Sequence, residues 1–563
     1  MPHLSTPSPP RLLVIGLDGA TFDLILPWVA AGELPHIGRL MRAGAHGPLK
    51  STLQPVTAPA WTSGITGVNQ GKHGLYDFIR RKPQDYGIEV TNSSHVHAPT
   101  VFDIAGHYDK FVVSINVPYT FPPRPVNGIM VGGPFAMAVT PELVSPRSFY
   151  QTLQAITPDY FVLPNYDARH PDPLGDYASK LLYGFDIRQQ LCSHVMRQYD
   201  WDLLMVVFMA IDEAQHAYWH YMEATPTHLT SPYRNVIRDM YRRADEAIGA
   251  LIAETTNKRH GRDTNIMILS DHGAGPLHAI INLNRWLADT GFLKFLSSQK
   301  NVQARMMRRL AETYRQFLPP QMRTMLRKFL RPSGFDRVKG TVETVLLAST
   351  IDWQQTKVYA LGAGGNLFVN LQGREPMGIV KPGAEYEEVR NAAIDALMHL
   401  QDPHTGKKLV RCVHKREALY HGQYLDQAPD LIIEWVDYGY WGRGRYDSDA
   451  PLFKTSNTME FTTLPLSGAH RPEGILIMYG PNIQPGPIHG ARLLDIAPTI
   501  LELLGLPSPP YMDGISLTTC IHPKLVERSG QLSDTIDTET KEFEYLDKDA
   551  ETIAKRLRSL GYL

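Results

Sequence analysis

Six short, nearly unbroken apolar runs recur along the chain: LLVIGL at 12–17, FVVSINV at 111–117, LLMVVFMA at 203–210, NIMILS at 265–270, LIIEWV at 431–436 and GILIMYG at 474–480. A strand with one wet face alternates apolar and polar residues. These runs do not alternate, so both faces should be covered, as in a central, mainly parallel sheet. Between them lie helical patterns such as SPYRNVIRDMYRRADEAIGALIAETT, where apolar residues return every three or four positions and charges fill the other face. Strands alternating with helices predict an α/β fold, a mainly parallel sheet sandwiched by helices.

Several of the runs lead into chemically loaded turns: LDG at 17–19, MAIDEAQH at 209–216 and SDHGAG at 270–275. Open α/β sheets bind ligands at the carboxyl ends of their strands, which makes these turns candidates for one site. In chain order the candidates are Asp18, Asp212, His216, Asp271, His272 and, in SGAHRPEG, His470. Asp212 and His216 are four residues apart, so a helical turn would bring both to one side. Asp271 and His272 are adjacent and reach one ion only from an irregular turn, which Gly273 permits. Singly, each aspartate also fits a helix cap and each histidine a packed interior ring. Together, six hard or borderline donors at separate strand ends suit two divalent cations.

Two cations about 3.5–4 Å apart can hold a phosphoryl group between them, and a nucleophile is then required. PVTAPAWTSGITG at 55–67 offers four hydroxyls: Thr57, Thr62, Ser63 and Thr66. Its prolines and glycines argue against a helix, so it is expected to be a loop.

Charge excludes one class of function. Fifty-six basic against 57 acidic side chains leave no positive excess for nucleic-acid binding. Cys192, Cys412 and Cys520 form no CxxC pair, so neither a disulfide framework nor a thiolate zinc knuckle is expected. The longest apolar run has about half the length that a membrane span needs. The first twenty residues lack the features of a secretory signal, and a cytoplasmic location is expected.

The stretches VIGLDGATFDLILPWVAAGELPHIGRLMRAGAHG, PVTAPAWTSGITGVNQGKHGLYDF, DEAQHAYW, SDHGAG, AHRPEG and DIAPTILELLGLPSPPYMDGISL, in that order, resemble the motifs of the alkaline phosphatase superfamily. The resemblance is to its type I phosphodiesterase and nucleotide pyrophosphatase branch, including the prokaryotic phosphohydrolase and phosphomutase members. It implies an alkaline-phosphatase-like fold and a small phosphorylated substrate. Thr57-Ala58-Pro59-Ala60 stands where that group opens a T-F-P-N run with its nucleophile, so the resemblance selects Thr57. It also implies that Asp18, Thr57, Asp271 and His272 surround one metal, and Asp212, His216 and His470 the other. The ions would be two Zn2+, with Mn2+ accepted by the same donors. The sequence departs from the pattern at Phe78, where an H-G-x-x-D-N run would end in a phosphate-binding asparagine; Arg80, Arg81 or Asn116 are candidates to replace it. The reaction implied is hydrolysis of a phosphodiester through a covalent phosphothreonine. The alternatives are a phosphomutase using the same site and a non-catalytic metal-binding scaffold.

Residues 11–295 and 341–520 are expected to form a discontinuous catalytic domain. Residues 296–340, basic, amphipathic and broken by Pro319 and Pro320, are expected to form a helical insertion or cap with a possible peripheral membrane contact. The tail, 521–563, is expected to be a linker ending in a helix. His73, His220, His278, Asp495 and Asp513 lie close to the motifs and are expected to be structural.

Overall fold

The computed structural model describes residues 10–82, 86–136, 138–223, 230–256, 262–296, 350–446, 451–455, 464–522 and 542–559. The expected insertion at 296–340 lies outside the described residues except for Leu296, as does most of the expected linker.

The core is a nine-stranded sheet. Its order is Gly486–Pro487, Ala45–Lys50, Glu473–Tyr479, Thr264–Leu269, Arg11–Leu17, Leu203–Phe208, Val112–Ile115, Gly128–Val131 and Val144–Ser145. From Thr264–Leu269 to Gly128–Val131 the neighbours are parallel, while Glu473–Tyr479 is antiparallel to both of its partners. The sheet is therefore mainly parallel and flanked by helices, as the apolar runs predict.

Residue alternation within Arg11–Leu17 explains why the run is unbroken. Leu13, Ile15 and Leu17 pack with helices Pro35–Ala43, Pro173–Gln198 and Val236–Thr255. Leu12 and Val14 pack on the other face, with Thr57–Thr66, Val101–His107 and Ile496–Leu503. Both faces are dry, so neither alternating position can be polar.

One run lies elsewhere. Leu431–Trp435 belongs to a separate antiparallel sheet with Val358–Ala360, Asn366–Val369 and Val410–Lys415, not to the central sheet. An apolar run reports burial and does not identify the sheet that provides it. This second sheet has its own core, to which the terminal helix Asp547–Ser559 contributes Ile553 and Leu557.

The expected loop at 55–67 is also different: Thr57–Thr66 is a helix. Pro59 sits in the first turn, where a missing N–H costs no intrahelical bond. Gly67 ends the helix in the left-handed region at φ 69°, and its N–H donates to the Ser63 carbonyl. The breakers lie at positions that a helix tolerates.

Candidate metal centre

The parallel strands Arg11–Leu17 and Thr264–Leu269 end side by side and deliver Asp18 and Asp271 to the same edge of the sheet. Leu203–Phe208 runs into helix Ala210–Met222, whose first turns carry Asp212 and His216. His470 arrives on Gly468–Arg471, which pairs antiparallel with Gly273–Pro276 and places His470 opposite Ala274, two residues after His272. All six donors and Thr57 are at most 5% exposed, so any charge among them must be met inside the protein.

The imidazoles share one orientation. His216 Nδ1 lies 3.1 Å from the Gly468 carbonyl, His272 Nδ1 3.0 Å from that of Gly273, and His470 Nδ1 2.5 Å from that of Pro55. A carbonyl only accepts, so each Nδ1 carries the proton and each Nε2 presents a lone pair to the centre. The Nε2 atoms of His216 and His470 stand 2.9 Å apart. Two lone pairs facing each other repel, and a shared cation removes that repulsion.

Two donor groups converge: Asp212 with His216 and His470, and Asp18 with Asp212 and His272. Asp212 belongs to both. Its Oδ2 is 3.4 Å from His216 Nε2 and its Oδ1 3.4 Å from His470 Nε2. Asp271 Oδ2 is 3.3 Å from His272 Nε2. Gly19 ties the strand ends together: its N–H donates to Asp271 Oδ1 at 3.3 Å. With φ at 69° it needs no Cβ, and one would meet Asp212 Oδ1 at 2.8 Å.

The carboxylates are frustrated in one direction. Burial, followed by the charges of Asp271 and Asp212, holds the Asp18 pKa well above the ordinary range, and burial beside Asp212 does the same to Asp271. Burial acts on Asp212 in the same sense, but His216 and His470 outweigh it and hold that pKa down. Asp18 Oδ1 and Asp271 Oδ2 are buried and accept no hydrogen bond from the described residues.

Thr57 opens its helix at the edge of this cluster, with its hydroxyl 3.4 Å from His272 Nε2. The other three hydroxyls point elsewhere: Thr62 and Thr66 donate to carbonyls one turn back, and Ser63 pairs with His73 Nε2 at 3.0 Å. Trp61, four residues after Thr57 and so on the same helical side, donates its Nε1–H to Asp18 Oδ2 at 2.7 Å. TAPAW carries that spacing in the sequence, but it is visible only when the stretch is read as helical.

The candidate phosphate ligands are engaged away from the donors. Arg80 pairs with Glu89 at 2.9 Å and Arg81 with Glu375. Asn116 is buried, and its amide donates to the Val207 carbonyl at 2.9 Å. Phe78 sits among aromatic rings, 5.4 Å from Phe135 and 6.4 Å from Tyr119 between centroids. His73 is buried, Asp495 caps a turn through Arg492 and Ile515, and Asp513 accepts from Asn69 and Lys72.

A family model described as type I phosphodiesterase / nucleotide pyrophosphatase matches residues 12–463. No curated protein matches the chain. Among solved structures, the chain is similar to human ectonucleotide pyrophosphatase / phosphodiesterase 5, with 12% identity, a TM-score of 0.48, and coverage of 91% of this chain and 99% of that one. It is also similar to phosphonoacetate hydrolase from Sinorhizobium meliloti in complex with phosphonoacetate, with 13% identity, a TM-score of 0.46, and coverage of 88% and 95%. An inactive form of the murine ectonucleotide pyrophosphatase / phosphodiesterase 5 in complex with AMP gives 12% identity, a TM-score of 0.45, and coverage of 88% and 95%. With its strand-end carboxylates gathered into one buried centre and the family match running from the first strand to residue 463, the chain belongs to the type I phosphodiesterase / nucleotide pyrophosphatase family.

Proposed function

We propose that the chain is a metal-dependent phosphodiester hydrolase in which Thr57 is the nucleophile. The observation that carries this reading is the position of the Thr57 hydroxyl, at the start of a helix and 3.4 Å from His272 Nε2, beside a buried cluster of carboxylates and imidazoles.

The residues present fit divalent cations. Three imidazoles turn Nε2 inward, three buried carboxylate oxygens, on Asp18, Asp212 and Asp271, accept no hydrogen bond from the described residues, and the carboxylates repel one another. Asp18, Thr57, Asp271 and His272 would hold one ion and Asp212, His216 and His470 the other, with Asp212 close enough to the first group to influence both. Imidazole with carboxylate favours Zn2+ and admits Mn2+. When bound, the cations supply Lewis acidity, lowering the pKa of a nucleophilic oxygen and neutralising charge on the phosphoryl group.

The protein's own groups do the remainder. The helix start at Thr57 directs N–H groups and the positive end of its dipole toward negative charge gathering on the hydroxyl oxygen and the phosphate. The hydroxyl gives its proton to solvent, its oxygen bonds to phosphorus, the bond from phosphorus to the leaving oxygen breaks, and that oxygen takes a proton from solvent to leave as the alcohol. Water then attacks the phosphothreonine from the opposite side, restoring Thr57 and releasing a phosphomonoester. Trp61 holds Asp18 in place through its indole N–H. Since Arg80 and Arg81 already neutralise Glu89 and Glu375, they are left out of the phosphate-binding set.

The test is hydrolysis of a chromogenic phosphodiester by wild type and Thr57→Ala, with bound metal measured in both. Loss of turnover with metal retained supports the assignment. Near-normal turnover by the variant removes it.

A further inference from the structure

The terminal helix Asp547–Ser559 lies beyond the residues that define the family, yet it is fixed against the catalytic half of the molecule. Its Arg556 donates to Glu213 Oε1 at 2.9 Å and to the Pro164 carbonyl at 2.9 Å. The lead-in is anchored as well: Phe543 and Tyr545 pack on Phe121, and Asn92 donates to the Phe543 carbonyl at 3.0 Å.

Beneath this helix is a cavity of about 690 Å3, walled by Phe135, Val139, Phe161, Leu163, Leu464 and Ile553. That volume is within the range of small-molecule sites. Three of its wall residues are linked to the candidate donors by sequence or packing, although no donor lines the cavity itself. Glu213 follows Asp212 on the same helical turn. Leu464 stands six residues before His470. Phe135 touches Phe78, which packs in one apolar cluster with Val56 and Ala58, the two residues flanking Thr57. Phe135 and Tyr119 hold left-handed backbones, at φ 81° and 62°, a conformation costly for aromatic residues and therefore imposed by their surroundings.

The polar wall is internally satisfied. Glu213 gives one carboxylate oxygen to Arg556 and the other to the Tyr177 hydroxyl, so its charge is matched before any ligand enters. Lys555, the other charged residue of the lining, is exposed at the rim, so a group entering past it meets mostly aromatic and aliphatic side chains.

We infer that this cavity receives the non-reacting organic group of the substrate, and that the preferred substrates are phosphodiesters bearing an extended, uncharged alkyl group. This inference rests on the hydrolase reading above. The terminal helix then sets specificity by forming one wall of the substrate pocket.

The test is a series of p-nitrophenyl alkyl phosphates, from methyl to octyl, with a constant leaving group. With partial burial of the chain, kcat/KM should rise about a hundredfold across the series. Val139→Trp, which fills the cavity, and Thr552→Trp, at its exposed rim on the terminal helix, should flatten that rise and leave the methyl diester unchanged. Calorimetric titration with octylphosphonate gives a readout without turnover: wild type should bind it more tightly than methylphosphonate, and the tryptophan variants should not. Hydrolysis of the whole series without chain-length dependence, or a dependence that survives both substitutions, overturns the cavity assignment and leaves the hydrolase reading standing. No hydrolysis of any member overturns both.

Discussion

Asp18 and Asp430 are both wholly buried, and the structure treats them in opposite ways. Asp430 accepts from Arg374 at 2.8 and 2.6 Å, from the Tyr386 hydroxyl at 2.5 Å and from the Val369 N–H at 2.7 Å. Burial alone would raise its pKa, but Arg374 outweighs burial and holds it below the ordinary value. Asp18 has one indole donor, and burial with two neighbouring carboxylates drives its pKa the other way. A buried carboxylate with a full set of partners is part of the scaffold. One surrounded by like charges and by inward-facing imidazole nitrogens is completed only by added positive charge.

The comparison is broken most severely at Thr57. Thr57→Ala should lower kcat at least about a thousandfold, as removal of a covalent nucleophile does, with metal content and melting temperature unchanged. Steady-state kinetics and elemental analysis on the same sample check this. A matching loss of metal would mean that Thr57 is needed chiefly to hold the ion, beyond what Asp18, Asp271 and His272 supply.

Next in size is removal of the cations. Chelation should abolish turnover and lower the melting temperature, with recovery on adding Zn2+ or Mn2+, because only metal bound to the folded chain stabilises it. His216→Ala and Asp271→Ala should lose bound metal even without chelator. Activity that survived prolonged chelation would place Asp18 in the same class as Asp430.

Arg374→Ala tests the other side. It removes both charge-assisted bonds to Asp430, leaves only the longer contact to Arg416 at 3.7 Å, and should cost about 3 kcal/mol in denaturant unfolding, while the folded fraction keeps its metal and its kcat. A large loss of metal would mean that the two regions are not independent.

Asp77 is an intermediate case, and its effect is the smallest per pH unit. It accepts from the Ala363 and Phe78 N–H groups but pairs with no cation among the described residues, and burial raises its pKa from 3.8 to about 7. The folded chain therefore holds a proton that the unfolded chain has released between about pH 4 and 7. Stability should fall as pH rises through that window, by at most about 1.4 kcal/mol per unit. Asp77→Asn should remove this contribution, as measured by urea unfolding at several pH values.

The strands were legible because burial on both faces keeps residues 12–17 and Leu203–Phe208 free of polar side chains. The candidate donors stand out for a related reason: a charged residue directly after such a run is conspicuous. Leu431–Trp435 was assigned to the central sheet because an antiparallel core sheet and a parallel one demand the same apolar residues. The Thr57–Thr66 helix was hidden because local propensity weighs Pro59 and Gly67 by type, whereas one sits in the first turn and the other at the C-cap, where a helix tolerates them. The partners of Arg80 and Arg81, and the Glu213–Arg556 pair, join residues that only the fold brings together, the last across 343 positions. Among the described residues no helix is long and apolar enough to cross a membrane.

The most direct measurement is the stereochemical course at phosphorus. A diester made chiral with sulfur and isotopic oxygen would be hydrolysed in labelled water and the configuration of the product determined. Two in-line displacements, first by Thr57 and then by water, predict net retention. Inversion would show a single displacement by water and would contradict Thr57 as the nucleophile.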